Sequence, residues 1–174
     1  MVNNGEKWWQ LVTMARAAKN KTGAVNNSAT PYLGQHLRGV DHGRVILPVE
    51  WRPDGSPQDF MVIIWPVTTR EYLLVLPPSR WVTLQKNLEG LSLTDEQAAT
   101  VERLIGSSTS MRTMDTYGRL PLPEEAAKRL GIESEAMLVG RMNKFEVWSP
   151  SRYAATLANP DAQLIADALK SIKI

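Results

Sequence analysis

Two short stretches of the chain combine an aspartate, a glycine and an arginine in nearly the same order. Asp115-Thr116-Tyr117-Gly118-Arg119 precedes a short apolar run that ends in proline, and Asp41-His42-Gly43-Arg44 precedes a similar run upstream. Glycine readily supplies the positive φ of a tight hairpin turn, so each stretch predicts a turn that places an arginine at the start of the outgoing strand. Such an arginine can donate paired hydrogen bonds to guanine O6 and N7, or bind a phosphate group.

Arginines at and beside the two turns are the candidates for contact with nucleic acid. Those on the turns come first, because a rigid hairpin reduces the entropy lost when a guanidinium group is fixed. Those on the incoming strands are predicted secondary phosphate contacts. The tip residues can each add one hydrogen bond, although exposure without function explains them equally well. The predicted DNA-contacting residues are Arg44, Arg119, Arg38, Arg112 and the tip residues His42 and Tyr117.

The remaining turn residues are predicted to orient the arginines. A carboxylate at the DNA surface would repel phosphate, so we expect each aspartate to accept backbone N–H bonds within its own turn. A purely structural aspartate–arginine pair is the alternative interpretation. The predicted turn-orienting residues are Asp41, Gly43, Asp115 and Gly118.

The two turns belong to a longer internal repeat. Gly43 aligns with Gly118 and Arg44 with Arg119 at a constant spacing of 75 residues, and a strand, a proline and an arginine recur downstream at a spacing of 72. The order of elements is the same in both halves. Interlocked halves of this kind would have pseudo-twofold symmetry, which places both arginines on one surface and suits a DNA duplex.

Short strands separated by turns about every eight to twelve residues indicate a small β-barrel or sandwich. Between the halves, Thr94 and Gln97 form a capping box for a connecting helix, and Pro123 and Gly131 bracket a short helix after the second turn. The predicted organisation is an N-terminal amphipathic helix and linker (1–31), a first repeat (32–90), a connecting helix (91–106), a second repeat (107–158) and a C-terminal helix (159–174).

The amino-acid composition limits the classes of protein to which this chain can belong. The 174 residues are 43% hydrophobic and 22% charged, which is typical of a soluble globular protein. There is no apolar run of about eighteen residues and no secretory signal pattern, so a cytoplasmic protein without a membrane span is expected. The absence of cysteine and the presence of only two histidines argue against a metal site, and no cofactor is expected. Residues 1–44 carry a net charge of +4, which fits nucleic-acid binding or a solvated basic face.

The sequence offers no pattern typical of catalysis. The chain lacks a Gly-x-Ser-x-Gly elbow, a phosphate-binding loop and a dinucleotide fingerprint. Asp95 and Glu96 fall in the predicted capping segment, where complementing the helix dipole explains them. We therefore expect neither an enzyme nor a small-molecule substrate.

Two strand stretches and the two turns resemble one known family. Tyr32 to Asp41 resembles the opening strand of MraZ proteins, members of the SpoVT-AbrB superfamily, and Met137 to Trp148 resembles the end of that family's second repeat. Both aspartate–glycine–arginine turns are similar to the family's Asp-x-x-Gly-Arg signature. The resemblance covers about residues 32 to 158. The first turn departs from the signature by being one residue shorter, which could aim Arg44 differently and change sequence preference.

The resemblance implies an α+β fold of tandem AbrB-like swapped-hairpin β-barrel halves, with intervening and C-terminal helices. It also implies a homo-oligomeric ring in the cytoplasm, associated with the nucleoid. Its expected partner is double-stranded DNA, read at repeated promoter sites by a repressor of the division and cell-wall gene cluster. The alternative is a ring-forming assembly or protein-interaction module without specific DNA readout, in which the Trp-rich N-terminal helix binds the partner.

Overall fold

Eight β-strands and four α-helices make up the part of the chain that the computed structural model describes, residues 31–52, 57–65, 71–90 and 96–158. The predicted N-terminal helix, the capping residue Thr94 and the predicted C-terminal helix lie outside these residues. In chain order the elements are β1 (Gln35–Asp41), β2 (Arg44–Ile46), β3 (Gln58–Trp65), β4 (Tyr72–Leu76), α1 (Pro78–Glu89), α2 (Glu96–Ser108), β5 (Thr109–Met114), β6 (Arg119–Pro121), α3 (Glu124–Leu130), β7 (Glu135–Gly140), β8 (Phe145–Trp148) and α4 (Pro150–Leu157).

The strands form one antiparallel sheet that closes almost completely into a barrel. Its order is β5-β3-β4-β8-β7-β1-β2-β6. The two end strands, β5 and β6, are joined by the second turn, where the Asp115 amide donates to the Arg119 carbonyl at 3.0 Å. The predicted α+β fold with interlocked halves is therefore confirmed.

Strand pairing follows the internal repeat. β1 of the first half pairs with β7 of the second, and β5 of the second half pairs with β3 of the first. The remaining cross-half pairs join equivalent strands, with Val45 opposite Leu120 at the centre of β2–β6 and Leu74 opposite Glu146 at the centre of β4–β8. Each half completes the sheet of the other, so the chain has a pseudo-twofold axis.

Aromatic residues from both halves fill the barrel interior. Trp51, Phe60 and Phe145 are all buried, and the Phe145 ring lies 5.2 Å from Trp51 and 5.7 Å from Phe60, measured between centroids. The Trp51 indole nitrogen donates to the Leu33 carbonyl at 3.1 Å, which satisfies its polar atom. Burying one side chain of this size stabilises the fold by ~1.5–3 kcal/mol, so these rings tie the halves together.

A second apolar layer separates the outer face of the sheet from the helices. Every residue of β4 and β8 is buried, because the barrel core lies on one face and helices α1 and α4 cover the other. Tyr72 stacks on Trp148 with 4.4 Å between centroids, and Leu84 and Tyr153 pack against this layer from the helices. Within the four described ranges, no helix combines the length and apolar character needed to cross a membrane.

Glu146 is a charged residue buried in that outer layer. Arg141 Nη1 donates to its Oε1 at 2.8 Å and Trp148 Nε1 donates to its Oε2 at 2.7 Å, so both carboxylate oxygens are satisfied. Burial, followed by the charge of Glu146, raises the pKa of the neighbouring Tyr72 to about 12. The pseudo-symmetric position holds Leu74, so this polar cluster occurs in one half only.

Candidate nucleic-acid interface

The β2–β6 ribbon carries both turn arginines on one face. Val45 and Leu120 point inward and are 0% exposed, so the alternate positions point outward. Arg44 pairs with Pro121, and Ile46 pairs with Arg119. Arg44 and Arg119 are therefore diagonal neighbours on paired strands, for which the Cα atoms are typically ~7–8 Å apart. We call the surface formed by Arg44, Ile46, Arg119 and Pro121 the outer ribbon face.

The second turn, Asp115 to Arg119, is held together by its aspartate. Asp115 Oδ1 accepts the backbone N–H groups of Tyr117 at 2.9 Å and Arg119 at 3.0 Å. Its Oδ2 accepts the Arg119 side-chain Nε–H at 2.7 Å. Since Asp115 engages Nε, and no other described residue bonds this guanidinium, both terminal nitrogens of Arg119 stay available to a ligand.

The same hydrogen bonds stabilise the charged form of Asp115. The backbone N–H of Arg119 is the main reason that the pKa of this carboxyl lies below its ordinary value of 3.8, with smaller contributions from the Arg119 side chain and the Tyr117 amide. Partial desolvation opposes the decrease. The aspartate is thus ionised, and paired with its arginine, throughout the neutral pH range.

Tyr117 lies at the tip of the second turn. Its residue surface is 72% exposed, and the Arg119 Cζ atom lies 5.0 Å from the centre of its ring. This is a cation–π distance, so the ring further restricts where the guanidinium can point. The structure therefore brings Asp115, Tyr117 and Arg119 together into one braced unit.

The first turn, Asp41 to Arg44, has a different internal arrangement. His42 has φ of 47° and Gly43 has φ of 69°, a two-residue turn of the kind that joins adjacent antiparallel strands. The Asp41 carboxylate contacts His42 Nδ1 at 2.8 Å, and both side chains are exposed. Among the described residues Arg44 has no carboxylate partner. The shorter turn therefore leaves Arg44 without the aspartate bond that fixes Arg119.

An open concavity of about 470 Å³ lies beside the first turn. Its lining includes the acidic residue Glu124, the first residue of α3, as well as Arg44. The lining residues are His42, Gly43, Arg44, Pro121, Leu122 and Glu124.

Arg38 and Arg112 lie away from this surface. Arg38 is two residues before Val40, which packs against the barrel core, and Arg112 is two residues before the buried Met114. Strand alternation therefore places both arginines on the inward face, opposite to that of Arg44. Arg112 Nε is buried and has no hydrogen-bond partner among the residues that the structure describes.

Arg52 lies against the second turn, a contact that sequence inspection missed. Its Nε and Nη2 both donate to the Leu47 carbonyl, at 2.8 and 2.6 Å, and its guanidinium covers Gly118 of the second turn. Arg52 lies 66 residues from Gly118 and outside the repeated pattern, so no local signal pointed to it.

Similarity to known protein sequences identifies the family to which this chain belongs. The family model described as "MraZ protein, putative antitoxin-like" matches residues 107–172. A protein named Transcriptional regulator MraZ from Thermomicrobium roseum is 30% identical over 128 residues, which cover 71% of this chain and 85% of that protein. The chain belongs to the MraZ family. A second relative with the same name, from Actinobacillus pleuropneumoniae, is 28% identical, and the match covers 76% of this chain and 91% of that protein. A third, from Halothermothrix orenii, is 27% identical, and the match covers 82% of this chain and 99% of that protein.

Proposed function

We propose that this MraZ-family chain is a transcriptional regulator that binds double-stranded DNA through its two turns and the outer ribbon face. The observation that carries the proposal is the placement of Arg44 and Arg119 on one exposed face, related by the pseudo-twofold axis. The name Transcriptional regulator MraZ, shared by the relatives, supports the same conclusion.

The two arginines have different expected roles. Arg119 is pre-oriented by Asp115 and Tyr117 and presents two free nitrogens, which fits a bidentate contact with guanine O6 and N7. Arg44 is unbraced, so it fits an adaptable contact with a phosphate group, with His42 beside it as an additional donor. Arg38 and Arg112 have no part in this contact, because they face the other side of their strands.

Oligomerisation belongs to the same proposal. A homo-oligomeric ring would present several outer ribbon faces to one DNA molecule and multiply a modest affinity at repeated promoter sites. Leu33 and Met142, which lie on neighbouring segments and are 52% and 66% exposed, are apolar surface that a second subunit can cover. We further propose that the chain acts in the cytoplasm at the nucleoid, as a repressor of the division and cell-wall gene cluster.

Fluorescence anisotropy with a labelled duplex from the region upstream of its own gene tests DNA binding. We expect Arg119→Ala to weaken binding by roughly 10- to 100-fold, as for loss of one bidentate base contact. Arg44→Ala should weaken it less and should reduce the slope of log affinity against log salt by ~0.9, as expected for one phosphate contact. Arg103→Ala, on the exposed face of α2, is the matched control.

Two outcomes would reject the DNA-binding proposal. One is no binding at low salt, and the other is binding that neither turn variant changes. If the chain then forms a defined oligomer, the alternative function, an assembly or interaction module, is favoured by the exposed apolar residues Leu33 and Met142.

A further inference from the structure

We infer that Arg52 is a positioning residue for Arg119: it braces the second turn at Gly118, in addition to the bonds that Asp115 makes within the turn. The inference rests on the proposed function for its consequence in DNA binding. Arg52 belongs to the first half of the chain, whereas the turn that it supports belongs to the second.

Three contacts join Arg52, Leu47 and Gly118 into a closed unit. The Leu47 amide donates to the Gly118 carbonyl at 2.9 Å. The Leu47 carbonyl accepts Arg52 Nε at 2.8 Å and Nη2 at 2.6 Å. Both polar groups of Leu47 are therefore used to hold the turn and the guanidinium against each other.

The guanidinium packs directly on the turn backbone. A Cβ atom added to Gly118 would lie 2.6 Å from Arg52 Cδ and Cζ, which is closer than atoms in contact can approach. Gly118 also has φ of 79°, a region that disfavours side chains. Glycine is thus favoured at this position by the turn, and any side chain there would displace the Arg52 guanidinium that covers it.

The first turn lacks this support. Its equivalent backbone bond is present, since the Leu122 amide donates to the Gly43 carbonyl at 2.8 Å. A Cβ atom added to Gly43, however, would meet no atom of the described part of the chain within 4 Å. The two turns therefore share their backbone connection and differ in the side chain above it.

Arg52 can act on DNA binding through Arg119 without touching DNA. Gly118 immediately precedes Arg119, and Asp115 holds Arg119 from within the turn. With Asp115 bonded to Arg119 and Arg52 packed on Gly118, the turn has little freedom to change its dihedral angles. The arginine consequently loses less entropy when it binds.

Amide hydrogen exchange, measured by NMR on the free protein, tests the brace without DNA. Replacing Arg52 by methionine keeps much of the side-chain volume and removes the donors. We expect Arg52→Met to accelerate exchange of the Leu47, Gly118 and Arg119 amides several-fold, and Arg52→Lys to accelerate it less. The Leu122 amide, the equivalent in the first turn, serves as the internal control, and unchanged exchange at the second turn would overturn the inference.

A double-mutant cycle with the upstream duplex tests the connection to Arg119. Arg52→Met should weaken binding roughly tenfold in the wild-type and Arg44→Ala backgrounds, and much less in the Arg119→Ala background. The slope against salt should stay unchanged, because a positioning residue releases no counterions. An equal loss in all three backgrounds, or a reduced salt slope, would overturn the positioning role.

The two proposals fail in distinguishable ways. If the wild-type protein binds no DNA, both the proposed function and the role of Arg52 in DNA binding are rejected. The exchange measurement still decides whether Arg52 braces the turn. If Arg119 matters for binding and Arg52→Met leaves it unchanged, only the positioning role of Arg52 is lost.

Discussion

Asp115 and Asp41 hold equivalent places in the two turns, but only Asp115 bonds its arginine. One residue of turn length accounts for the difference. The longer second turn brings two backbone amides and the Arg119 side chain to one carboxylate, whereas the shorter first turn leaves Asp41 beside His42. The functional consequence is that the arginines are unequal, with one fixed and one adaptable.

Replacing Asp115 by asparagine should separate its two roles. The amide still has an oxygen that can accept backbone N–H bonds, but it loses the charge that holds the Arg119 guanidinium. We expect DNA affinity to fall several-fold, with little change at the first turn. Asp41→Asn is the matched control and should have the smaller effect in the same anisotropy measurement.

The lowered pKa of Asp115 predicts a specific acid dependence. The folded chain binds this proton less tightly than the unfolded chain, for which the ordinary value is 3.8. The stability that Asp115 contributes is therefore present above that value and is lost as pH falls through the lower folded pKa. Carbon-13 NMR titration of the Asp115 carboxyl checks this directly, and a midpoint at or above 3.8 would contradict the hydrogen-bond geometry.

Gly118 and Gly43 provide a matched pair for the turn backbone. Both have positive φ, so alanine at either position should cost ~1–2 kcal/mol from backbone strain. Only at Gly118 would the new methyl group overlap Arg52. We therefore expect Gly118→Ala to lower the free energy of unfolding more than Gly43→Ala in urea denaturation. Arg52→Ala should remove that excess, and equal losses for the two alanine variants would be inconsistent with the packing.

At the scale of elements, the chain after each ribbon strand decides what lies beside each turn. β2 is followed by a one-turn 3-10 helix, Val49–Trp51, which delivers Arg52 to the second turn. β6 is followed by α3, whose first residue, Glu124, adjoins the first turn. The two halves thus differ after the ribbon strands. As a result, the second turn has the positively charged Arg52 beside it, and the first turn has the acidic residue Glu124 beside it.

Neutralising Glu124 should strengthen DNA binding. A carboxylate near Arg44 repels phosphate and weakens the local positive potential, so Glu124→Gln should raise affinity a few-fold at low salt, with a smaller gain at high salt. Glu125→Gln changes the neighbouring exposed residue of the same helix and provides the control. A loss of affinity with Glu124→Gln would instead indicate that the carboxylate accepts a hydrogen bond from a base.

Local sequence patterns predicted the helices, strands and turns, but they did not predict contacts between residues that are far apart in the sequence. The glycine turns and the helix ended by Gly131 could be read from the sequence because their causes lie within a few residues. The repeat predicted interlocked halves, and the structure confirms them. The contact of Arg52 with Gly118 and the buried Glu146 cluster could not be predicted, because each depends on residues that meet only in the folded chain. The inward orientation of Arg112 could not be predicted either, because it depends on the register of β5 with β3.

At the scale of the whole molecule, buried tyrosines predict loss of stability in alkali. Burial raises the pKa of Tyr32 and of Tyr72 to about 12, from an ordinary 10.0. Between these values the unfolded chain has released its phenolic protons and the folded chain has not, so the free energy of unfolding falls as pH rises.

Urea denaturation at several alkaline pH values, with absorbance titration of the phenolate, measures this effect. Tyr72→Phe keeps the ring that stacks on Trp148 and removes the titrating group. It should therefore make the alkaline decrease in stability shallower. Ionisation of Tyr72 near its ordinary value in a folded protein would contradict the burial that the structure shows.

Symmetry at the level of the whole chain carries the central claim, which is that the interlocked halves place Arg44 and Arg119 on one DNA-binding face. The most direct measurement is the affinity of wild type, Arg44→Ala, Arg119→Ala and the double variant for one duplex from the region upstream of the gene, across a salt series. We predict strong loss of affinity for Arg119→Ala, smaller loss for Arg44→Ala and near-complete loss for the double variant, with Arg103→Ala unchanged. Binding that persists in the double variant would contradict this claim.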